Sequence, residues 1–366
     1  MAAVGHSAEY SRRRRLQVSQ QTLTAIISSL VFLALALVLA LVPVPYVGWG
    51  PGSTVNVAGA NSEGHPVLAV NGLPTTPLNG ELRLTTVSQT RVDSQLGLME
   101  AAFNYWMPHR DVLPRNVIYP PGKSTAQVKA EEVAMMTNSQ ADAVVAALRA
   151  AGQPVTELPM VTGVTLSGPA LNRLKPGDMI TKVDAKAVQT VNDVATVIQA
   201  HRVGEPVVFT VERSGKPESV TVTTVAAPNN PQQPHVGIRL GVGYKYSPTV
   251  SYGIDPDIVG PSAGIVFALG IYDLVTPEDL LEGRRVAGTG EITPEGTVQA
   301  IGGVQEKVRG AEKAGAQIFL VPEANCKDLA GMETDMEVVA VGTLREAIGG
   351  LQKLKSSKDG TGVPRC

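Results

Sequence analysis

Apolar and polar positions along this chain change their period several times, and each change marks an element. An uncharged apolar run fills residues 23–42, broken only by hydroxyl side chains. Residues 81–87 (Glu-Leu-Arg-Leu-Thr-Thr-Val) alternate polar and apolar with the period of a strand. The rest of residues 45–123 reads as irregular β structure. It contains a hydrophobic patch at Phe103, Tyr105 and Trp106, for which contact with lipid is one reading and packing against the rest of the fold the expected one. Ser124 is placed to cap a helix over 124–151, whose apolar side carries Val128, Val133, Ala134, Val144 and Leu148.

The second half is punctuated differently. Strand-like positions 159–166 lead through Ser167-Gly168-Pro169-Ala170 to Leu174-Lys175-Pro176-Gly177-Asp178-Met179-Ile180 and Val183-Asp184. A helix over 192–201 and a hairpin of strands 207–213 and 220–225 follow. Residues 229–234, rich in Asn, Gln and Pro, predict a linker. From there strands (236–244, 249–252, 286–292, 318–321, 338–341) alternate with helices (261–275, 276–283, 304–315, 324–330, 344–353), the pattern of an α/β domain. The lysine-containing end of the chain predicts a flexible tail over 354–366.

The apolar run 23–42 is long enough to cross a bilayer, which takes about 20 residues. Arg12 to Arg15 precede it and no basic residue follows until Arg83, so residues 1–22 are expected to form a cytoplasmic basic tail and 23–44 a transmembrane anchor. Tyr46 and Trp49 suit the outer interface. Ala34-Leu35-Ala36 is similar to a signal-peptidase site. It sits inside the run rather than after it, so a retained single-pass anchor is expected, with everything beyond Val44 extracytoplasmic.

Composition narrows the chemistry. A formal charge of −2 gives no electrostatic case for nucleic acid. Two cysteines (Cys326, Cys366) and five scattered histidines offer no metal-ligand spacing, so neither metal nor cofactor is expected; a Cys326–Cys366 bridge is left open. Gly122-Lys123-Ser124 has the ending of a phosphate-binding loop, but Val117 stands where that motif needs glycine, so no ATP-driven work is expected.

Two separated stretches carry chemistry. In Gly260-Pro261-Ser262-Ala263-Gly264 a serine sits at the mouth of a helix apolar on every face, where backbone N–H groups and the helix dipole would stabilise an oxyanion. In Gly302-Gly303-Val304-Gln305-Glu306-Lys307, Lys307 points with the apolar stripe. At 100° per residue Val304, Val308, Ala311 and Ala314 lie within about 100° of it, while Gln305, Arg309, Glu312 and Lys313 lie opposite. Burial would lower the lysine pKa toward about 7–8 and make a neutral amine available as a base. The bland alternatives are a capping serine and a lysine that snorkels to solvent.

Residues 154–228, with the run Ser167-Gly-Pro-Ala, Leu174-Lys-Pro-Gly-Asp178 and Val183-Asp184, resemble a bacterial PDZ domain, although Ala185 stands where that family usually has glycine. Across 235–353, Gly260-Pro-Ser-Ala-Gly264, Gly288-Thr-Gly-Glu-Ile292, Ile301-Gly-Gly-Val-Gln-Glu-Lys307 and Leu320-Val-Pro-Glu-Ala-Asn325 resemble the proteolytic domain of Lon proteases. Together with the anchor, the chain resembles membrane-anchored, PDZ-containing Lon-like serine proteases without an ATPase module. The fold this implies is α/β (α+β), with a β-rich PDZ domain, one N-terminal transmembrane helix and an α+β segment over 45–153 that packs on the protease domain or stands apart. The resemblance implies Ser262 as nucleophile and Lys307 as general base, with Thr289 orienting the lysine and Gly260 and Pro261 shaping the turn. ATP-dependent Lon enzymes carry an acid immediately before Gly-Pro-Ser; Val259 is there in this chain, and Asp257 is the nearest acid. The implied substrates are extracytoplasmic peptides or flexible protein segments, and a homo-oligomeric hexameric ring is compatible with the family. The competing class is an anchored PDZ peptide-binding adaptor with an inactive protease-like domain. A signal-peptidase-like enzyme is the remote third.

Overall fold

The computed structural model describes residues 19–356 and 362–366; Arg12 to Arg15 lie outside the described residues. In chain order the elements used below are helix α1 (Gln20–Leu41), strands β1 (Tyr46–Asn56), β2 (Leu68–Asn71) and β3 (Glu81–Gln89), helix α2 (Leu98–Trp106), strand β4 (Asp111–Pro114) and helix α3 (Thr125–Ala150). Then come strands β5 (Thr156–Val164) and β6 (Met179–Val183), helix α4 (Val191–Gln199), and strands β7 (Pro206–Arg213), β8 (Lys216–Thr223), β9 (Ile238–Lys245) and β10 (Thr249–Tyr252). Helix α5 (Gly264–Val275), strand β11 (Arg285–Gly288), helix α6 (Val304–Lys313), strands β12 (Ile318–Pro322) and β13 (Glu337–Val341) and helix α7 (Leu344–Ser356) complete the series.

The chain divides into two compact units: Met1–Gly50 with Ser88–Val128, and Pro51–Val87 with Lys129–Cys366. The first contains α1, an apolar helix long and uncharged enough to cross a membrane, with none of its residues buried. Just after it, Pro43 and Val44 pair antiparallel with Gly97 and Leu96, and the Leu98 N–H donates to the Val42 carbonyl. Tyr46 to Trp49 pair antiparallel with β4, and Val47, Tyr119 and Val128 form a small core. Ser124 accepts from the Gln127 N–H while the Gln127 side chain accepts from the Ser124 N–H, a reciprocal cap that explains the Gly-Lys-Ser decoy.

The expectation that Phe103, Tyr105 and Trp106 pack into the fold is not met. They are 53%, 74% and 78% exposed, because α2 turns its small and polar positions, Ala101 and Asn104, inward.

In the second unit the strands run in the order β13-β12-β11-β3-β1, with β13, β12, β11 and β3 mutually parallel. Parallel strands covered on both faces need apolar side chains on both, and all five residues of β12 are buried. On one face α5, α3 and α7 pack through Phe267, Leu269, Val144, Leu148, Ala347 and Leu351. On the other, Val304, Val308 and Ala311 of α6 meet Ala287, Phe319 and Val321. Burying each large α5 side chain contributes about 1.5–3 kcal/mol. Residues 51–87 and 129–153 of the expected 45–153 segment therefore belong to this unit, with β3 supplying Leu82 and Leu84 to its core.

A second sheet in the same unit has the order β8-β7-β6-β5-β9 and encloses its own core of Val161, Ile180, Val194, Val207, Phe209 and Val211. Strand β9 pairs with β5 over eight positions, and Ile238 and Leu240 pack on this core. Strand β9, which follows the expected linker at 229–234, thus pairs within this sheet. At the turn where glycine was expected, Asp184 and Ala185 adopt φ of 49° and 63°. The Asp184 carboxylate accepts the Val208 N–H at 2.8 Å and holds the turn despite a left-handed alanine, which costs about 1–2 kcal/mol.

Two further expectations change. Residues 276–283 form no helix, because the Asp273 and Asp279 carboxylates take the Leu280 and Glu282 N–H groups into turns. Of the tail expected over 354–366, residues 357–361 lie outside the described residues, and residues 363–366 are held against the fold. Val363 is buried in the main core, the Ala340 N–H donates to the Pro364 carbonyl, Arg365 pairs with Glu337, and Cys366 is disulfide-bonded to Cys326.

Candidate active site

The Gly260–Gly264 stretch is a turn between two strongly held elements. Gly260 has φ 94° with open space around its α-carbon, so only its backbone conformation calls for glycine. Its N–H donates to the Glu132 carbonyl at 3.4 Å, and Ser139 Oγ, itself buried, donates to the Pro261 carbonyl at 2.7 Å. Both anchors come from α3. Gly264 is required by space: a Cβ there would lie 2.9 Å from Ile292 Cγ2 and 3.0 Å from the Ile292 nitrogen and Ser139 Oγ. Helix α5 begins at Gly264, so Pro261 and Ser262 occupy the turn leading into it rather than its first turn. Ser262 is half-buried, whereas the helix behind it is buried from Gly264 to Asp273.

Thr289 follows β11 at its carboxyl end, where loops from both faces of the sheet converge. It is fully buried and its N–H is fixed by the Leu320 carbonyl. Its hydroxyl donates to the Ser262 carbonyl at 3.1 Å, and the neighbouring Gly290 N–H donates to the same oxygen at 2.8 Å. Gly290 in turn accepts from the Ile265 N–H at 3.1 Å, so the strand end and the helix start are stitched together around Ser262.

Lys307 reaches this point from the other face. It is 3% exposed, and its Nζ donates to Thr289 Oγ1 at 3.1 Å. Burial pushes its pKa down to about 7, against the opposing pull of Glu306. Loss of hydration penalises the ammonium far more than the neutral amine, and one nearby carboxylate does not restore the difference. Gly303, with φ 69°, begins α6 and sets its direction, while Asn325 pins the preceding loop by accepting the Ile301 N–H and donating to its carbonyl.

The fold thus gathers Ser262, Thr289 and Lys307, with Gly260 and Pro261 shaping the turn. Asp257 is exposed on the loop before them, its N–H tied to the Asp255 carboxylate. Among the described residues no three His, Cys, Asp or Glu side chains are grouped as metal ligands would be. Sequence reasoning missed Ser139 and Glu132. Ser139 is a polar residue on the apolar side of its helix, and that was the one available signal.

Two parts of the chain are similar to known protein families. Residues 252–350 match the Lon protease (S16) C-terminal proteolytic domain, and residues 137–224 match the PDZ domain. Lon protease 2 of Syntrophobacter fumaroxidans is 36% identical over 110 residues, 29% of this chain and 14% of that protein. The Lon protease of Mesomycoplasma hyopneumoniae is 42% identical over 117 residues, 28% of this chain and 13% of its own. The chain therefore spans only about 14% of the length of such relatives. The PDZ domain of an SdrC-like protein from Listeria monocytogenes aligns at 26% identity and a TM-score of 0.21, covering 22% of this chain and 85% of that domain.

Proposed function

We propose that the Lon-type proteolytic domain of this chain is an ATP-independent serine endopeptidase, with Ser262 as nucleophile and Lys307 as general base. The observation that carries this reading is the chain of contacts from a buried amine through the Thr289 hydroxyl to the backbone of the serine. A lysine at about 7 has a substantial neutral fraction at physiological pH, as a general base needs.

Neutral Lys307 takes the Ser262 proton as Oγ attacks the peptide carbonyl. Backbone N–H groups of the turn hold the oxyanion, at the positive end of the α5 dipole. Lys307 then gives its proton to the departing amine, and water cleaves the acyl-enzyme by the same route. Thr289 keeps the lysine aimed, and Gly260 and Pro261 keep the hydroxyl presented.

The PDZ domain binds or gates the substrate. Among the described residues, strand β9 lies at the edge of its sheet, paired only with β5, and α4 packs beside both. An extended peptide can add to such an edge through backbone bonds, with side-chain pockets supplying selectivity. Substrates are extracytoplasmic peptides or flexible protein segments. Support for that location comes from α1, whose 22 residues span about 33 Å, from the arginines that precede it, and from a disulfide, which persists in oxidising compartments.

The test is turnover of an unstructured reporter peptide by the full chain and its Ser262→Ala and Lys307→Ala variants. Each is expected to lose at least about 1000-fold in kcat/KM while keeping its circular dichroism. Turnover retained by either well-folded variant would rule out the dyad.

A further inference from the structure

Helix α2 is amphipathic in the wrong sense for a helix that faces water. Its inward positions are Ala101, 8% exposed, and Asn104, 4% exposed; Asn104 bonds to the Glu100 carbonyl and accepts from Arg110. Its outward positions Met99, Phe103 and Trp106, spaced i, i+4 and i+7, fall within about 60° of one another and form an apolar ridge. Tyr105, also exposed, lies on one flank of the ridge about 100° from Trp106, and Glu100, the only charge on the helix, lies on the other flank about 60° from Phe103. A contiguous exposed patch of large apolar and aromatic groups calls for an occupant.

The backbone says which occupant. The first residue of α2, Leu98, donates its N–H to the carbonyl of Val42, the residue that ends α1. The residues immediately before α2 pair with Pro43 and Val44, and α1 and α2 touch directly. Wherever α1 leaves a bilayer, α2 therefore begins within a hydrogen bond of that exit. Its side-chain set of Met, Phe, Tyr and Trp is the one favoured at the boundary between acyl chains and headgroups.

We propose that α2 is a second membrane contact: an interfacial helix whose Met99–Phe103–Trp106 ridge lies in the lipid leaflet where α1 ends. The inference rests on α1 spanning the membrane. It assigns α2 the role of fixing the tilt and rotation of this unit on the surface, which a single flexible anchor would leave free.

The experiment uses the full chain in phosphatidylcholine vesicles carrying bromine either high or deep on the acyl chains. The chain has two tryptophans, so subtracting the emission of the Trp106→Phe variant isolates Trp106. Trp106 is expected to lose most of its emission to shallow bromines, less to deep ones, and to emit blue of water-exposed indole. Unquenched, water-like emission would overturn the proposal. So would blue-shifted emission that bromines leave untouched, which would mean that protein, such as a second copy of this chain, covers the ridge. Flotation of the vesicles after carbonate extraction reads α1 separately. Protein stripped by carbonate would remove the anchor reading and this inference together, whereas protein that floats with unquenched Trp106 would remove this inference alone.

Discussion

The Thr289 hydroxyl bridges Lys307 and Ser262, accepting from the lysine Nζ and donating to the serine carbonyl, each at 3.1 Å. Valine at position 289 has nearly the same volume but neither bond. Thr289→Val is expected to lower kcat/KM about 100-fold, at the low end of what a positioned general base contributes. The ammonium also loses an acceptor, so the acidic limb of the pH profile should move to lower pH. Thr289→Ser should restore both rate and limb. A Val variant with unchanged rate and profile would remove Thr289 from the mechanism.

The wild-type pH profile follows from the lysine. Lys307 acts as a base only when neutral, and burial brings its pKa to about 7. The value of kcat/KM is therefore expected to rise through pH 7 and level off above about pH 8. Initial rates on a substrate without ionisable side chains measure this directly, and a flat profile from pH 6 to 8 would exclude Lys307 as the base.

Stability should carry the same signature with a definite sign. Folded Lys307 titrates near 7, whereas in the unfolded chain it titrates near 10.4. Between these values the unfolded chain binds more protons, so stability rises with pH across that window. Below pH 7 the charge is buried in full, at a cost of roughly 4–5 kcal/mol. Lys307→Met keeps the stem and removes the charge. Denaturant unfolding at pH 6, 8 and 9.5 should show the Met variant more stable at low pH, with the wild type closing the gap as pH rises. Parallel curves would contradict this.

The Cys326–Cys366 bridge closes a loop of 40 residues, for which the loop-entropy estimate is about 4 kcal/mol. Reduction, or the paired Cys326→Ser and Cys366→Ser substitutions, should lower the melting temperature by several degrees and raise hydrogen exchange at Ala340, whose N–H is held by Pro364. Unchanged exchange at Ala340 would mean that Val363 and Arg365 hold the end of the chain without the bridge.

What could be read from the sequence divides along physical lines. The burial of Lys307 is legible because Val304, Val308 and Ala311 repeat with the helical period and the lysine falls among them. The serine turn is legible because glycine, proline and small residues have few other uses before an all-apolar helix. Partner choice is not local and could not be read. Leu82 and Leu84 announce a strand, but nothing near them names β11 as its neighbour. The alternation of β9 fits either sheet, and only its eight pairs with β5, interrupted by one register shift, decide. Ser139 acts on Pro261 from 122 positions away. The outward turn of Phe103 and Trp106 depends on Asn104 being held beneath Gly48, where an added Cβ would come within 2.9 Å of its side-chain nitrogen.

Strand β3 sits beside β11, so that Thr85 bonds to the carbonyl of Gly288 across 203 positions of chain. A ribosome thus releases the first half of this pairing long before the second exists, with the whole PDZ sheet emerging between them. Early β3 must wait unpaired, and loop closure of that span makes the final joining a slow step. A truncated clone of residues 252–350 would lack Leu82 and Leu84 and leave one edge of β11 bare. Such a fragment should aggregate rather than fold, however complete its catalytic motifs look on paper.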